Sequence, residues 1–181
     1  MNRTVINSDF FTSLGPPSGF LLFFLVAVIS IVILAIVLYA IYAIALFKLC
    51  KIERIENAWL AFIPIASTYI FAQLFDVAGA YDSNTGLANI LKKYKQHMPL
   101  LLTLIPLGIN IIDSIPIIGA LVSFVVNIAI IVILFWGYYY IIKKYGSNPV
   151  LHLIISIVFL VYLPIYMLII AIKASRTKQL P

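Results

Sequence analysis

The sequence predicts an all-α protein, a polytopic integral membrane helical bundle with proline-broken or re-entrant helices and one interfacial amphipathic helix. Three observations carry that prediction. Hydrophobic residues make up 64% of the 181 and charged residues only 10%, with a mean hydropathy of +1.15, whereas soluble domains sit near about 45–50% apolar and roughly 25% charged. A chain this short has too little interior to hide that much apolar surface from water, so the bilayer is the solvent for most of it. The apolar residues fall in runs of membrane-spanning length. The basic residues fall between those runs in short clusters, the pattern of cytoplasmic loops and of contact with anionic lipid.

The same composition excludes a disordered chain and a disulfide scaffold. Lys and Arg number 12 against 6 Asp and Glu, for a net +6. No aromatic residues alternate with a soluble basic face, so nucleic acid is not an expected partner. Cys50 is the single cysteine and has no intrachain partner. Beside Lys48 and Lys51 it reads as an inert thiol at a helix end, or as a thiolate or lipidated site.

Residues 1–19 form an extramembrane segment ending in Gly15-Pro16-Pro17-Ser18-Gly19, a stiff, non-helical lead-in. Residues 20–47 follow as a span, 28 residues with Ser30 the one clearly polar side chain. As a helix they reach about 42 Å, against roughly 30 Å of hydrocarbon, so the span must tilt or protrude. Ala43-Ile44-Ala45 mimics a leader cleavage site, but the run is about twice a leader's usual apolar core, and the span is read as retained. Lys48, Lys51 and Arg54 place its C-terminal end in the cytoplasm and the N-terminus outside.

Residues 58–75 are apolar but interrupted by Pro64, with Ser67 and Thr68 available to cap a restarting helix. They form either one kinked span or a re-entrant hairpin. Residues 84–98 place Leu87, Ile90, Leu91, Tyr94 and Met98 at helical spacing, with Lys92, Lys93 and Lys95 on the rest of the wheel. This is an amphipathic helix suited to a lipid interface, its three lysines the candidate head-group contacts.

Residues 99–142 carry one charge, Asp113. A continuous helix of that length exceeds the bilayer about twofold, so the stretch divides into spans 99–112 and 116–142 about a turn near Asn110 to Pro116. Asp113 or Ser114 caps the second span, and Pro116 fits its first turn. Trp136 and Tyr138 to Tyr140 form an aromatic belt before Lys143 and Lys144. Gly146 to Pro149 is a turn. Residues 149–172 are the last span of a single membrane domain, 20–172, with Pro164 inside it, and 173–181 are a basic tail. If all five apolar segments cross, the twelve basic residues divide six and six; if 58–75 dips in and returns, eight lie inside and four outside. The second arrangement agrees better with the positive-inside bias but leaves the basic tail outside.

One element recurs: Ile63-Pro64-Ile65-Ala66-Ser67, Ile105-Pro106-Leu107-Gly108-Ile109-Asn110 and Ile115-Pro116-Ile117-Ile118-Gly119. With Asn57-Ala58-Trp59-Leu60-Ala61-Phe62 before the first copy, Lys143-Lys144-Tyr145-Gly146 and the late Pro164, the stretch from Asn57 to Ile172 resembles a family of small bacterial multi-pass membrane proteins. The domain is of unknown function and sometimes precedes a signal peptidase. Ser67 stands where the family has Asn, Asn110 falls one position late, Gly119 replaces Asn, and the stretch from Asp76 to His97 is an unusual insert. No signal-peptidase Ser/Lys region is present. The resemblance implies a fold and a bacterial cytoplasmic membrane location, not an activity.

Few residues carry chemistry. Asn110, Asp113 and Ser114 form a candidate polar turn. Asn110 and Asp113, three apart, share a helix face but supply too few oxygens to fix a metal alone. Asp113 is read as a cap, with an ion- or proton-linked role the alternative. Gly119, Ser123 and Asn127 recur every four residues, a candidate helix-packing face on which Asn127 can hydrogen-bond across the contact. Pro64, Pro106, Pro116 and Pro164 are the expected helix breaks. His97 is expected to be solvated, and His152 and Ser156 share a face that suits a helix contact. No metal-binding, phosphate-binding or nucleophile motif is present, so no catalytic, cofactor or metal residues are assigned. The expected function is that of a non-enzymatic accessory, scaffold or immunity-type protein contacting another membrane protein or itself. The alternatives are a small channel or transporter subunit with a polar path near Asp113, and a protein that binds anionic lipid.

Overall fold

The computed structural model describes residues 16–82, 85–112, 118–159 and 161–179, less the side chains at 16–18, 110–112, 118 and 178–179. Among the described residues every regular element is helical. Seven α-helices follow in order: α1 Pro16–Ile52, α2 Pro64–Val77, α3 Gly86–Lys92, α4 Met98–Ile112, α5 Ile118–Tyr145, α6 Pro149–Val158 and α7 Tyr162–Gln179, with 3-10 turns at Ala58–Phe62 and Ala80–Asp82. Two of them, over Gly19–Ile52 and Gly119–Tyr145, are long and apolar enough to cross a membrane.

The chain divides into two compact units, 1–37 and 38–181. The first holds the N-terminal part of α1. That helix starts at Pro16, so the diproline expected to be a non-helical lead-in begins the helix instead. A proline's missing N–H is unneeded in a first turn and its fixed φ already suits the helix. From Phe20 to Val37 the apolar side chains are exposed almost throughout. Ser30 Oγ donates to the Val26 carbonyl, the way a hydroxyl is satisfied in an apolar helix.

The second unit holds the core, built from Leu46, Leu49, Ile70, Phe71, Leu74, Phe75, Ile141, Ile142, Met167 and Ile170. The end of α1 is closed by a Schellman motif. Ile55 N donates to Cys50 O and Arg54 N to Lys51 O, with Arg54 left-handed at φ 57°. The chain then runs back along α1. Tyr39 Oη donates to the Ala61 carbonyl, and the Phe62 ring lies 5.4 Å from that of Phe47.

Pro64 begins α2 after Ile63 turns extended. The helix therefore starts three residues before Ser67 and four before Thr68, whose hydroxyls do not cap it but donate to the carbonyls of Pro64 and Ile65. About 21 Å later α2 ends at Val77, whose carbonyl accepts from Lys144 Nζ. Lys144 also pairs with Glu53, just past the end of α1. The 53–77 segment thus leaves one end of the bundle and returns to it.

The expected helix over 84–98 is shorter in the structure. Thr85 Oγ1 accepts from Ala88 N and opens α3, but the helix stops at Lys92 and tight turns carry the chain to Met98. Pro99 offers no N–H to extend α3 and disfavours helical geometry before it; the chain restarts with Pro99 in the first turn of α4. Leu87, Leu91 and Met98 pack on the core, while Ile90 and Tyr94 stay exposed.

Pro106 does not break α4, which runs on through it to Ile112. One forfeited hydrogen bond is tolerable inside an otherwise regular helix. Thr68 and Thr103 meet at 3.2 Å, so α4 rises beside α2, and α5 packs on both. The aromatic belt expected over 136–140 faces inward. Trp136 contacts Phe75, Tyr81 and Tyr140, and Tyr138 packs on Phe71 with ring centroids 4.3 Å apart. These rings fill the space that the returning α2 opens beside α5.

The expected last span, 149–172, is two helices. The first ends at Val158 and the second begins at Tyr162, so the division falls ahead of Pro164, which sits third in α7. In a continuous helix the proline ring would strike the carbonyl four residues earlier, and α6 stops short of that point, with Phe159 extended. α7 folds back on α6. His152 stacks on Tyr162 and Tyr166, and a Cβ on Gly146 would meet Tyr166 Oη. Ser156 Oγ donates to the His152 carbonyl. The segment assigned to a basic tail continues α7 to Gln179.

Candidate functional site

The charged side chains described in the second unit gather at one end. Glu53 accepts Tyr145 Oη at 2.7 Å and Lys144 Nζ at 3.3 Å, and the same lysine donates to Val77 O at 2.9 Å. One carboxylate and one ammonium thereby tie the ends of α1, α2 and α5 together. A cleft of about 370 Å³ beside them is lined by Glu53, Lys144, Lys173 and Thr177, which brings the end of α7 to the same place. On the other side Lys95 Nζ reaches Asp76 at 2.6 Å.

A larger cleft, about 710 Å³, opens between α2 and the turn after α3, and Tyr69, Gln73, Asp76, Lys92, Lys93 and Lys95 line it. Gln73 and Asp76 are three apart and so share a face of α2. Lys92 ends α3 and Lys93 caps it, both exposed and without an ion-pair partner among the described residues. Gln73 Oε1 is buried with no hydrogen-bond partner, a state that costs about 1–3 kcal/mol unless something donates to it. The hydrogen bond to Asp76 raises Lys95 above the ordinary lysine value and holds it charged. Tyr81 is pushed up to about 12 by its burial and by the Asp76 charge, so its phenol stays protonated.

Lys92, Lys93 and Lys95, the predicted head-group contacts, thus share one cleft. Gln73 and Asp76 were not anticipated, although Gln73 is the one amide in 58–75. Gly119 and Ser123 are buried, with Ser123 Oγ unpartnered, while Asn127 is exposed and donates Nδ2 to Ser123 O. The predicted face is therefore divided between the interior and the outer surface of α5. Asn110 lies on α4, and its side chain, with Asp113, Ser114 and Pro116, lies outside the described residues. His97 is exposed and Cys50 is buried. Among the described residues no three His, Cys, Asp or Glu side chains gather as metal ligands do. No family model, no curated protein and no solved structure matches the chain.

Proposed function

We propose that the chain is a multi-pass integral protein of the bacterial cytoplasmic membrane that carries no reaction of its own. In this reading it works as an accessory or scaffold, holding another membrane protein or a second copy of itself against its outward helix faces. Membrane insertion is supported by α1, in which no residue of the most apolar eighteen-residue window is buried. At about 0.3–0.6 kcal/mol per aliphatic residue, hydrocarbon stabilises such a window by roughly 5 kcal/mol or more.

The orientation rests on charge. All basic residues but Arg3, eleven of the twelve, fall at or beside the ends of helices that meet at Glu53, Val77 and Lys144. Three crossings, α1, α4 and α5, with 53–77 and the α6–α7 pair both entering and leaving on the cytoplasmic side, place all eleven inside and the N-terminus outside. That is fewer crossings than either arrangement read from the sequence.

Asn127 carries the functional reading. It lies sixteen residues before Lys143, about 24 Å along α5 and so within a hydrocarbon layer of roughly 30 Å. Around it Phe124, Val125, Ile128 and Ile131 are exposed. Its Nδ2 is satisfied within the helix, while its Oδ1 has no partner among the described residues. A second helix that donates to that oxygen contributes about 1–2 kcal/mol. A photo-crosslinker at position 127 in native membranes should trap one discrete polypeptide, and Asn127→Leu should abolish co-purification of that species in mild detergent. Adducts to lipid alone would defeat the proposal.

A further inference from the structure

We infer that the cleft between α2 and the 92–96 turn holds the head group of an anionic glycerophospholipid, its phosphate on the Lys92 and Lys93 ammoniums and a head-group hydroxyl donating to Gln73 Oε1. The inference rests on the membrane reading but not on the partner held at Asn127. Two independent features point the same way. Lys92 and Lys93 are exposed cations lining a cleft in which the third lysine, Lys95, is already held by Asp76. Two ammoniums free to converge on one anion suit a phosphate. Gln73 lines the same cleft, and its Oε1 is buried and without a donor, so a hydroxyl in the cleft reaches it when the amide turns outward. A bare phosphate monoester offers little to that oxygen, whereas a glycerol head group brings hydroxyls.

The lipid is favoured over a free phosphate by what lies on the other side of the turn. Leu91, Tyr94 and Met98 wall an apolar groove of about 250 Å³ against α4 and α5. The segment that presents the lysines therefore also offers acyl-chain surface, and Ile90 is exposed one turn away. A head group bridging Lys92, Lys93 and Gln73 ties the turn after α3 to α2, reinforcing the Lys95–Asp76 pair.

The test uses the full chain in phosphatidylcholine nanodiscs doped with phosphatidylglycerol or phosphatidic acid, with retained lipid counted by native mass spectrometry. Wild type should retain phosphatidylglycerol in preference to phosphatidic acid. Lys92→Gln with Lys93→Gln should weaken phosphatidylglycerol retention about thirtyfold, the contribution expected of two lysines at an anionic surface. Gln73→Leu should erase the preference for phosphatidylglycerol and leave phosphatidic acid retention intact. Lys143→Gln, an exposed lysine outside the cleft, should change nothing. Circular dichroism verifies that each variant is folded, and Lys93→Glu alone serves if the double variant is not. Undiminished retention in the lysine variants, or an equal loss in Lys143→Gln, would overturn the inference. Displacement of the lipid by millimolar glycerol 3-phosphate would assign the cleft to a soluble phosphate ester instead. A chain that fails to enter the nanodisc defeats the membrane reading itself, and glycerol 3-phosphate titrated in buffer then reads the cleft.

Discussion

Glu53 takes two donors while almost enclosed, its side chain 12% exposed. Removing the carboxylate leaves the Tyr145 phenol without this acceptor and takes one of two acceptors from Lys144, which keeps the Val77 carbonyl. Glu53→Ala should lose about 2–3 kcal/mol and Tyr145→Phe about 1 kcal/mol, measured by denaturant titration in mixed micelles. A difference below about 0.5 kcal/mol between these variants would show that the lysine finds another acceptor. The Lys95–Asp76 pair belongs to a different regime, because both side chains are over 40% exposed. Its contribution stays below about 1 kcal/mol. Asp76 raises the lysine, so that contribution is complete below the ordinary value of 10.5 and disappears as pH rises through the higher folded value. Wild type should therefore be slightly more stable than Lys95→Gln at neutral pH, and the two melting curves should merge well above pH 10.5. Merged curves at neutral pH would leave the pair without energetic weight.

At the scale of elements, two glycines separate contact from open space. A Cβ at Gly137 would overlap the buried Phe75 ring where α2 crosses α5, whereas one at Gly108 on α4 would meet nothing within 4 Å. Gly137→Ala should destabilise by about 1–3 kcal/mol through overpacking. Gly108→Ala should be neutral or stabilise by up to about 1 kcal/mol, since alanine loses less entropy in a helix. Equal effects of the two would mean that α2 does not approach α5 as described. Prolines divide the elements differently from simple expectation. Pro64 begins a helix, Pro106 is absorbed inside one, and Pro164 lies in the first turn of the last. Each outcome follows from where its missing N–H falls, and that depends on what the neighbouring carbonyls find to pair with. The sequence located these sites, but it could not distinguish a kink from a reversal.

For the whole molecule, the proposed topology predicts where reagents reach. Single cysteines at positions 95 and 178, in a Cys50→Ser background, should both react with an impermeant maleimide only from the cytoplasmic side. Labelling of 178 from outside would restore the last segment as a true crossing and split the basic residues again.

The all-helical class, the two helices long and apolar enough to cross a membrane, the helix start at Pro149 and the lysine cluster at 92–95 were legible in the residues, because each depends on composition or on neighbours within a turn. The cleft was only half legible: its lysines stood out, while Gln73 looked like one polar residue in an apolar run. What the tertiary structure decided is which ends meet. Lys144 reaches Val77, 67 residues away, and Glu53 beyond it, and His152 stacks on Tyr166. Hydropathy and proline spacing are local properties and fix where a helix can exist. Whether the next helix continues or returns is settled by long-range partners for carbonyls and charges, and no local pattern specifies those.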